Sequence, residues 1–154
     1  MAMDKTRYPK NWNEISKARR AAAGWKCEWC GLPNGAMILR KKKSAEYILY
    51  DVAADRHYDQ SGRMIRLSEM PSWAATVKYT RVVLTVHHIG VPKPDGTPGS
   101  PHDKMDVRPE NLAALCQRCH FLADLESHIA NARISRRNKR KAKILNSGQK
   151  ELGL

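Results

Sequence analysis

Two Cys-x-x-Cys pairs stand far apart in this chain, Cys27-Glu28-Trp29-Cys30 and Cys116-Gln117-Arg118-Cys119, with 85 residues between them. Thiolates at i and i+3 of a tight turn reach one ion, and two such turns complete a tetrahedral Zn²⁺ site. A fold that uses this site must bring positions 27 and 116 together, so the pairs act as a clip between distant segments. Four protein ligands leave no coordination position open, and the zinc is expected to be structural. Redox-active or incidental thiols are the alternative; a single pair would leave that open, whereas two knuckle-like pairs argue for metal.

The charge balance narrows the partner. Lys and Arg total 28 against 15 Asp and Glu, a formal charge of +13 over 154 residues. A chain this basic expects a polyanion, with nucleic acid first and an anionic membrane surface second. The longest strongly apolar run, residues 82–86, is far short of the roughly 20 residues that a spanning helix needs. Residues 1–10 contain no apolar signal region. The expectation is no membrane association and a cytoplasmic location, where paired cysteines favour metal over disulfides.

Local patterns predict the elements. A helix is expected over residues 11–23, with Asn11 as cap, Glu14 at capping-box spacing and Gly24 as stop. Ile15, Ala18 and Ala22 share its inner face. Residues 25–31 read as the first zinc knuckle. Residues 36–75 read as a β-hairpin insertion, with strands at 47–52 and 64–67 and a turn near Gln60-Ser61-Gly62. Residues 77–86 form the clearest strand and lead straight into His87-His88. Eight Pro and Gly residues across 90–109 predict a loop, and a loop that long inside a compact domain is often functional. A helix follows from about His120 to Arg140.

A second group of polar residues lies between and beside the cysteines: His87, His88, Asn111 and His120. Phosphodiester hydrolysis needs an activated water and stabilisation of charge on phosphate and leaving oxygen. An imidazole titrating near pH 6.5 can take the proton, and a divalent ion can hold the phosphate. Adjacent residues of a strand point to opposite sides, so His87 and His88 need not share a task.

Val86-His87-His88-Ile89, followed by Pro109-Glu110-Asn111-Leu112-Ala113-Ala114-Leu115-Cys116-Gln117-Arg118-Cys119-His120, resembles the HNH endonuclease family, the ββα-metal fold, and especially its small zinc-containing phage and bacterial members. The likeness covers residues 77–128 and the knuckle at 25–31. It implies that His87 binds a catalytic metal, that His88 is the general base, that Asn111 holds the loop orienting that base, and that His120 is a metal ligand at the start of the helix. It further implies Asp124, four residues on, as an additional ligand. Asp124 and His128 follow His120 on one helix face, and His128 is expected to stand behind the ligands or to meet phosphate. Relatives with Ala before the base draw ligands from elsewhere, which would leave His87 idle. His57 and His102 are given no role.

Residues 131–154 hold eight Lys and Arg against one acid. Arg133, Arg136, Arg137, Arg140 and Lys141, with Lys139 and Lys143, are expected to contact DNA phosphates, an affinity without sequence readout.

The expected fold is therefore α+β: a small ββα-metal core clipped by a four-cysteine zinc site (residues 1–130, with the 36–75 insertion) and a basic C-terminal helical arm (131–154). The expected function is metal-dependent DNA endonuclease, carrying a structural Zn²⁺ and a catalytic Mg²⁺, Mn²⁺, Ni²⁺ or Zn²⁺. The competing readings are a non-catalytic zinc module that binds nucleic acid or protein, and a nuclease acting on RNA or branched DNA. Double-strand cleavage by one site per chain would favour a homodimer or sequential nicks. The resemblance makes a phage packaging or host defence role, with its partner protein, an expectation.

Overall fold

The computed structural model describes residues 5–151, with side chains from 6 to 145. Residues 1–4 and 152–154, the ends of the expected nuclease domain and arm, lie outside the described residues. The fold is α+β. Two compact units divide the chain, Met1–His120 and Phe121–Leu154.

In the first unit, helix α1 (Trp12–Ala22) begins after Asn11. The expected capping box does not form, because Asn11 adopts φ −91°, ψ 21° and its side chain makes no cap bond; an N-cap needs the extended conformation to aim its oxygen at the first turn. The stop is as expected. Gly24 at φ +62° lets its own N–H reach the Ala21 carbonyl at 2.8 Å and that of Trp25 reach Arg20 at 2.9 Å, the paired closure that a left-handed glycine permits. Ile15, Ala18 and Ala22 then line a recess of about 360 Å³ with Val107, Pro109 and Leu112.

Residues 36–75 form more than a hairpin. Strands β1 (Met37–Arg40), β2 (Tyr47–Asp51), β3 (Arg56–Tyr58) and β4 (Met64–Ile65) build an antiparallel meander. Strand β5 (Thr80–Arg81) adds to the β1 edge, giving the order β4-β3-β2-β1-β5. Leu39, Ile48, Ile65 and Ala74 are its buried core, closed over by Met70, Trp73 and Val77. β1 and β3 are missing from the sequence expectation because the first follows a Gly-Ala step without alternation and the second is three residues long. His57 sits in β3, buried, with Nε2 2.7 Å from the Tyr79 hydroxyl and its ring stacked on Tyr50.

The expected strand over 77–86 is two strands in two sheets. After β5 the chain crosses to β6 (Leu84–His88), which pairs with β7 (Leu112–Cys116) in a separate antiparallel hairpin. Side-chain amides hold the crossing open. Gln117 accepts from Val83 N at 3.1 Å and donates to Arg81 O at 2.9 Å, and Asn34 Oδ1 accepts from Leu84 N at 2.9 Å. These bonds satisfy backbone groups that a continuous ladder would have used. All five residues of β7 are buried, so this hairpin is the centre of the unit.

The expected helix from His120 to Arg140 is also divided. α2 (Gln117–Ala123) starts three residues earlier, and α3 (Leu125–Glu151) runs beyond the expected end. Asp124 separates them, yet its carbonyl accepts from His128 N at 2.9 Å, so α3 is capped by the residue at the break. Among the described residues no helix is long and apolar enough to cross a membrane.

Candidate metal centre and hydrolytic site

The four cysteines converge. Cys27 and Cys30 come from a turn after α1, Cys116 from the end of β7, and Cys119 from the first turn of α2. All four sulfurs lie within 4.8 Å of one another. The first turn closes through Gly31 N to Cys27 O at 2.8 Å and Cys27 N to Leu32 O at 2.9 Å. Cys30 Sγ is 3.6 Å from Cys116 Sγ. The edge of a tetrahedron with Zn–S bonds of 2.3 Å is about 3.8 Å, so the spacing fits Zn²⁺. The thiols are free, and three of them are buried.

Their electrostatics also suit a cation. Burial pushes the Cys27 thiol up, but bonds from the backbone of Cys116, Cys30 and Trp29 outweigh it and bring it down to about 7. Burial and the neighbouring sulfurs raise Cys30 to about 11, and they raise Cys119 as well. Four packed thiolates repel one another, whereas a bound cation reverses that balance and deprotonates coordinating thiols outright. The cluster is consistent with a structural metal site.

A second clamp secures the first knuckle to β7. Glu28 N donates to Ala114 O at 2.9 Å, and the Glu28 carboxylate accepts from Ala114 N. Arg19 of α1 bridges the same carboxylate to the Leu112 carbonyl, its Nε lying 2.8 Å from that oxygen. The outer edge of β7 is thereby paired without a further strand.

On the β6–β7 hairpin the two adjacent histidines diverge, as strand alternation requires. His87 is buried and meets His120 of α2, with ring centroids 4.9 Å apart in an edge contact and their ligand nitrogens within 4.8 Å. Two imidazoles at this separation can share one ion. His120 Nδ1 also lies 2.7 Å from the Thr85 hydroxyl.

His88 turns the other way, is only 1% exposed, and lies beneath Trp12 and Tyr8. The Lys104 carbonyl takes its hydrogen bond at Nδ1, while Nε2 is buried with no partner. Burial, then the nearby Lys104 and His87 charges, lower its pKa to about 4. The ring is therefore neutral at pH 7, with its basic lone pair on Nε2.

The loop that supplies Lys104 is held by Asn111, which is fully buried. Its Oδ1 accepts from Gly90 N at 2.7 Å and Val91 N at 3.0 Å, and its Nδ2 donates to Asp106 O at 2.9 Å. Arg108 adds bonds to the Val91 carbonyl at 3.2 Å and the Asp106 carboxylate at 2.8 Å, holding that carboxyl down at about 2. The loop closes where Gly99 passes over Gly90 and Val91; a Cβ on Gly99 would stand 2.0 Å from the Val91 carbonyl oxygen. Only glycine allows this crossing.

In the second unit His128 is exposed and stacks on Phe121, with centroids 5.2 Å apart. Asp124 is partly buried. Arg133, Arg136, Arg137, Arg140 and Lys141 are all exposed along α3. His102 is exposed in the loop. The sequence reading missed Thr85, Lys104, Tyr8 and Trp12. Thr85 was accessible to it, since a residue two before His87 shares its strand face. Lys104 acts through its backbone, which no side-chain pattern reveals.

Comparison with family models, with curated proteins and with solved structures finds no match for this chain.

Proposed function

We propose that this protein is a metal-dependent endonuclease of the HNH type that hydrolyses DNA phosphodiester bonds. The observation that carries the reading is the meeting of His87 and His120 at the corner between hairpin and helix; the next residue, His88, lies on the opposite strand face, held by the Asn111-stapled loop. His87 and His120, with Asp124 one helical turn further along the chain, would hold a divalent ion. That ion would supply Lewis-acid stabilisation of the phosphate and leaving oxygen, and a mixed imidazole and carboxylate set accepts Mg²⁺, Mn²⁺, Ni²⁺ or Zn²⁺.

The remaining steps belong to the chain. His88, neutral at pH 7, takes a proton from water at Nε2, and the Lys104 carbonyl steadies the imidazolium through Nδ1–H. The water oxygen bonds to phosphorus in line. The P–O3′ bond breaks, leaving a 5′-phosphate and a 3′-oxygen that solvent protonates. This step requires water at Nε2, which Tyr8 and Trp12 cover in the structure. Exposed cations of α3 add phosphate affinity without sequence readout.

A second reading is a non-catalytic zinc-stabilised module that binds nucleic acid. The sealing of His88 beneath two aromatic rings favours it. The deciding experiment incubates the protein with supercoiled plasmid and each of Mg²⁺, Mn²⁺, Ni²⁺ and Zn²⁺, beside EDTA and a His88→Ala variant. Nicking or linearisation lost in both controls establishes the nuclease. Full activity in His88→Ala eliminates the assigned base, and DNA binding without cleavage under every ion selects the binding module. Parallel assays on RNA and branched DNA define the substrate class.

A further inference from the structure

Thr85 has no part in the proposed reaction, yet it makes a specific contact with a candidate ligand. It lies in β6 two residues before His87, on the same strand face. Its hydroxyl donates to the Leu115 carbonyl at 3.4 Å and lies 2.7 Å from His120 Nδ1. A hydroxyl has one proton to give. The 2.7 Å contact to His120 Nδ1 is much the shorter of the two, and Oγ1 is the acceptor there when Nδ1 carries the ring proton.

We infer that Thr85 is the positioning residue of the second metal site: it holds His120 in the Nδ1–H tautomer and so directs the Nε2 lone pair to the ion. The inference rests on the reading of His87 and His120 as metal ligands. Ligating imidazoles nearly always donate their other N–H to an oxygen, which fixes ring orientation and raises ligand basicity. Here that oxygen comes from the strand that carries the other histidine. One β6 face thus supplies His87 directly and orients His120 indirectly, so hairpin and helix cannot slide against each other without losing both. Asn111 does the equivalent for His88 through the loop.

Thr85→Val removes the hydroxyl and keeps the β-branched shape that suits a strand. Thr85 is exposed, so the substitution leaves no buried void. The test uses the full chain with zinc in the cysteine site, titrated with Ni²⁺ by calorimetry, alongside ¹⁵N-imidazole NMR of the metal-free second site. Thr85→Val should weaken Ni²⁺ binding by roughly 10- to 100-fold and move His120 from Nδ1–H toward Nε2–H. Thr85→Ser should restore both. A Thr85→Val protein with parental affinity and an unchanged tautomer overturns the role of Thr85 alone. A parent that binds no ion beyond its zinc, or one whose Ni²⁺ uptake is unaltered by His87→Ala, overturns the metal-site reading and this inference with it.

Discussion

The indole of Trp12 lies over the imidazole of His88, their centroids 5.2 Å apart and their planes 21° from parallel. A group proposed to take a proton from water is thus sealed by the first residue of a helix. Trp12→Ala should expose Nε2, and the His88 pKa should climb from about 4 toward the free value of roughly 6.5, since burial is the main cause of the depression. An NMR titration of the His88 ring checks this. In the plasmid assay the same variant should cut faster if the cover limits access. A pKa that stays near 4 would show that Trp12 does not set the burial.

Removing the clip should cost the fold. Cys116→Ser removes one of the four sulfurs that would hold an ion between the α1 turn and β7. Structural zinc supplies on the order of 10 kcal/mol in small zinc domains, so the variant should lose its cooperative thermal transition. Elemental analysis of the parent should give one tightly held zinc per chain, and the variant should retain little or none.

Asn111→Ala should loosen the loop without emptying the cysteine site. Gly90 and Val91 N–H would lose their acceptor, and buried donors left unpaired cost about 1–3 kcal/mol each. The Lys104 carbonyl would no longer be fixed against His88, so cleavage should fall by roughly 10²-fold or more. Urea unfolding and plasmid nicking, run on one preparation with its zinc content measured, separate the two effects.

Acid should destabilise the fold through His88. Its folded pKa, about 4, lies below the unfolded value of roughly 6.5, so the unfolded chain binds the extra proton between those values. Stability from this group is fully present above pH 6.5 and is lost progressively as pH falls toward 4, by up to roughly 3 kcal/mol. His88→Gln, which removes the titration, should flatten that part of the stability profile. A parental profile already flat between pH 6.5 and 4 would contradict the burial of His88.

Arg133, Arg137 and Arg140 of α3 should contribute salt-sensitive affinity. Replacing all three by Ala should reduce the slope of log K against log salt by about 0.9 for each phosphate contact removed. Binding to unrelated duplexes should weaken equally. An unchanged slope would remove the arm from the DNA surface.

The convergence of the four cysteines was legible in the sequence because thiol chemistry tolerates few partners, and two Cys-x-x-Cys turns leave one economical arrangement. The divergence of His87 and His88 followed from strand alternation alone. The crossing between β5 and β6 did not, since residues 77–86 read as one β-branched run and the break is imposed by Gln117 and Asn34, distant side chains that take over backbone bonds. The meander over 36–75 was read as a hairpin because β1 follows a Gly-Ala step without alternation and β3, of three residues, is too short to show a period. The burial of His88 was equally hidden: nothing near position 88 announces that Tyr8 and Trp12 will come to rest on it.

Cys119 and His120 are consecutive residues in one turn of α2, so the cysteine cluster and the candidate catalytic centre share a peptide bond. In the proposed nuclease a chelator should therefore act as two reagents. On a short timescale it should strip the ion proposed for His87 and His120, and activity should return when Mg²⁺ or Mn²⁺ is restored. On a longer one it should extract a zinc held by the cysteines, the turn that aims His120 should unravel, and only zinc followed by refolding should bring activity back. The interval between those losses measures how firmly the clip holds the chemistry in place.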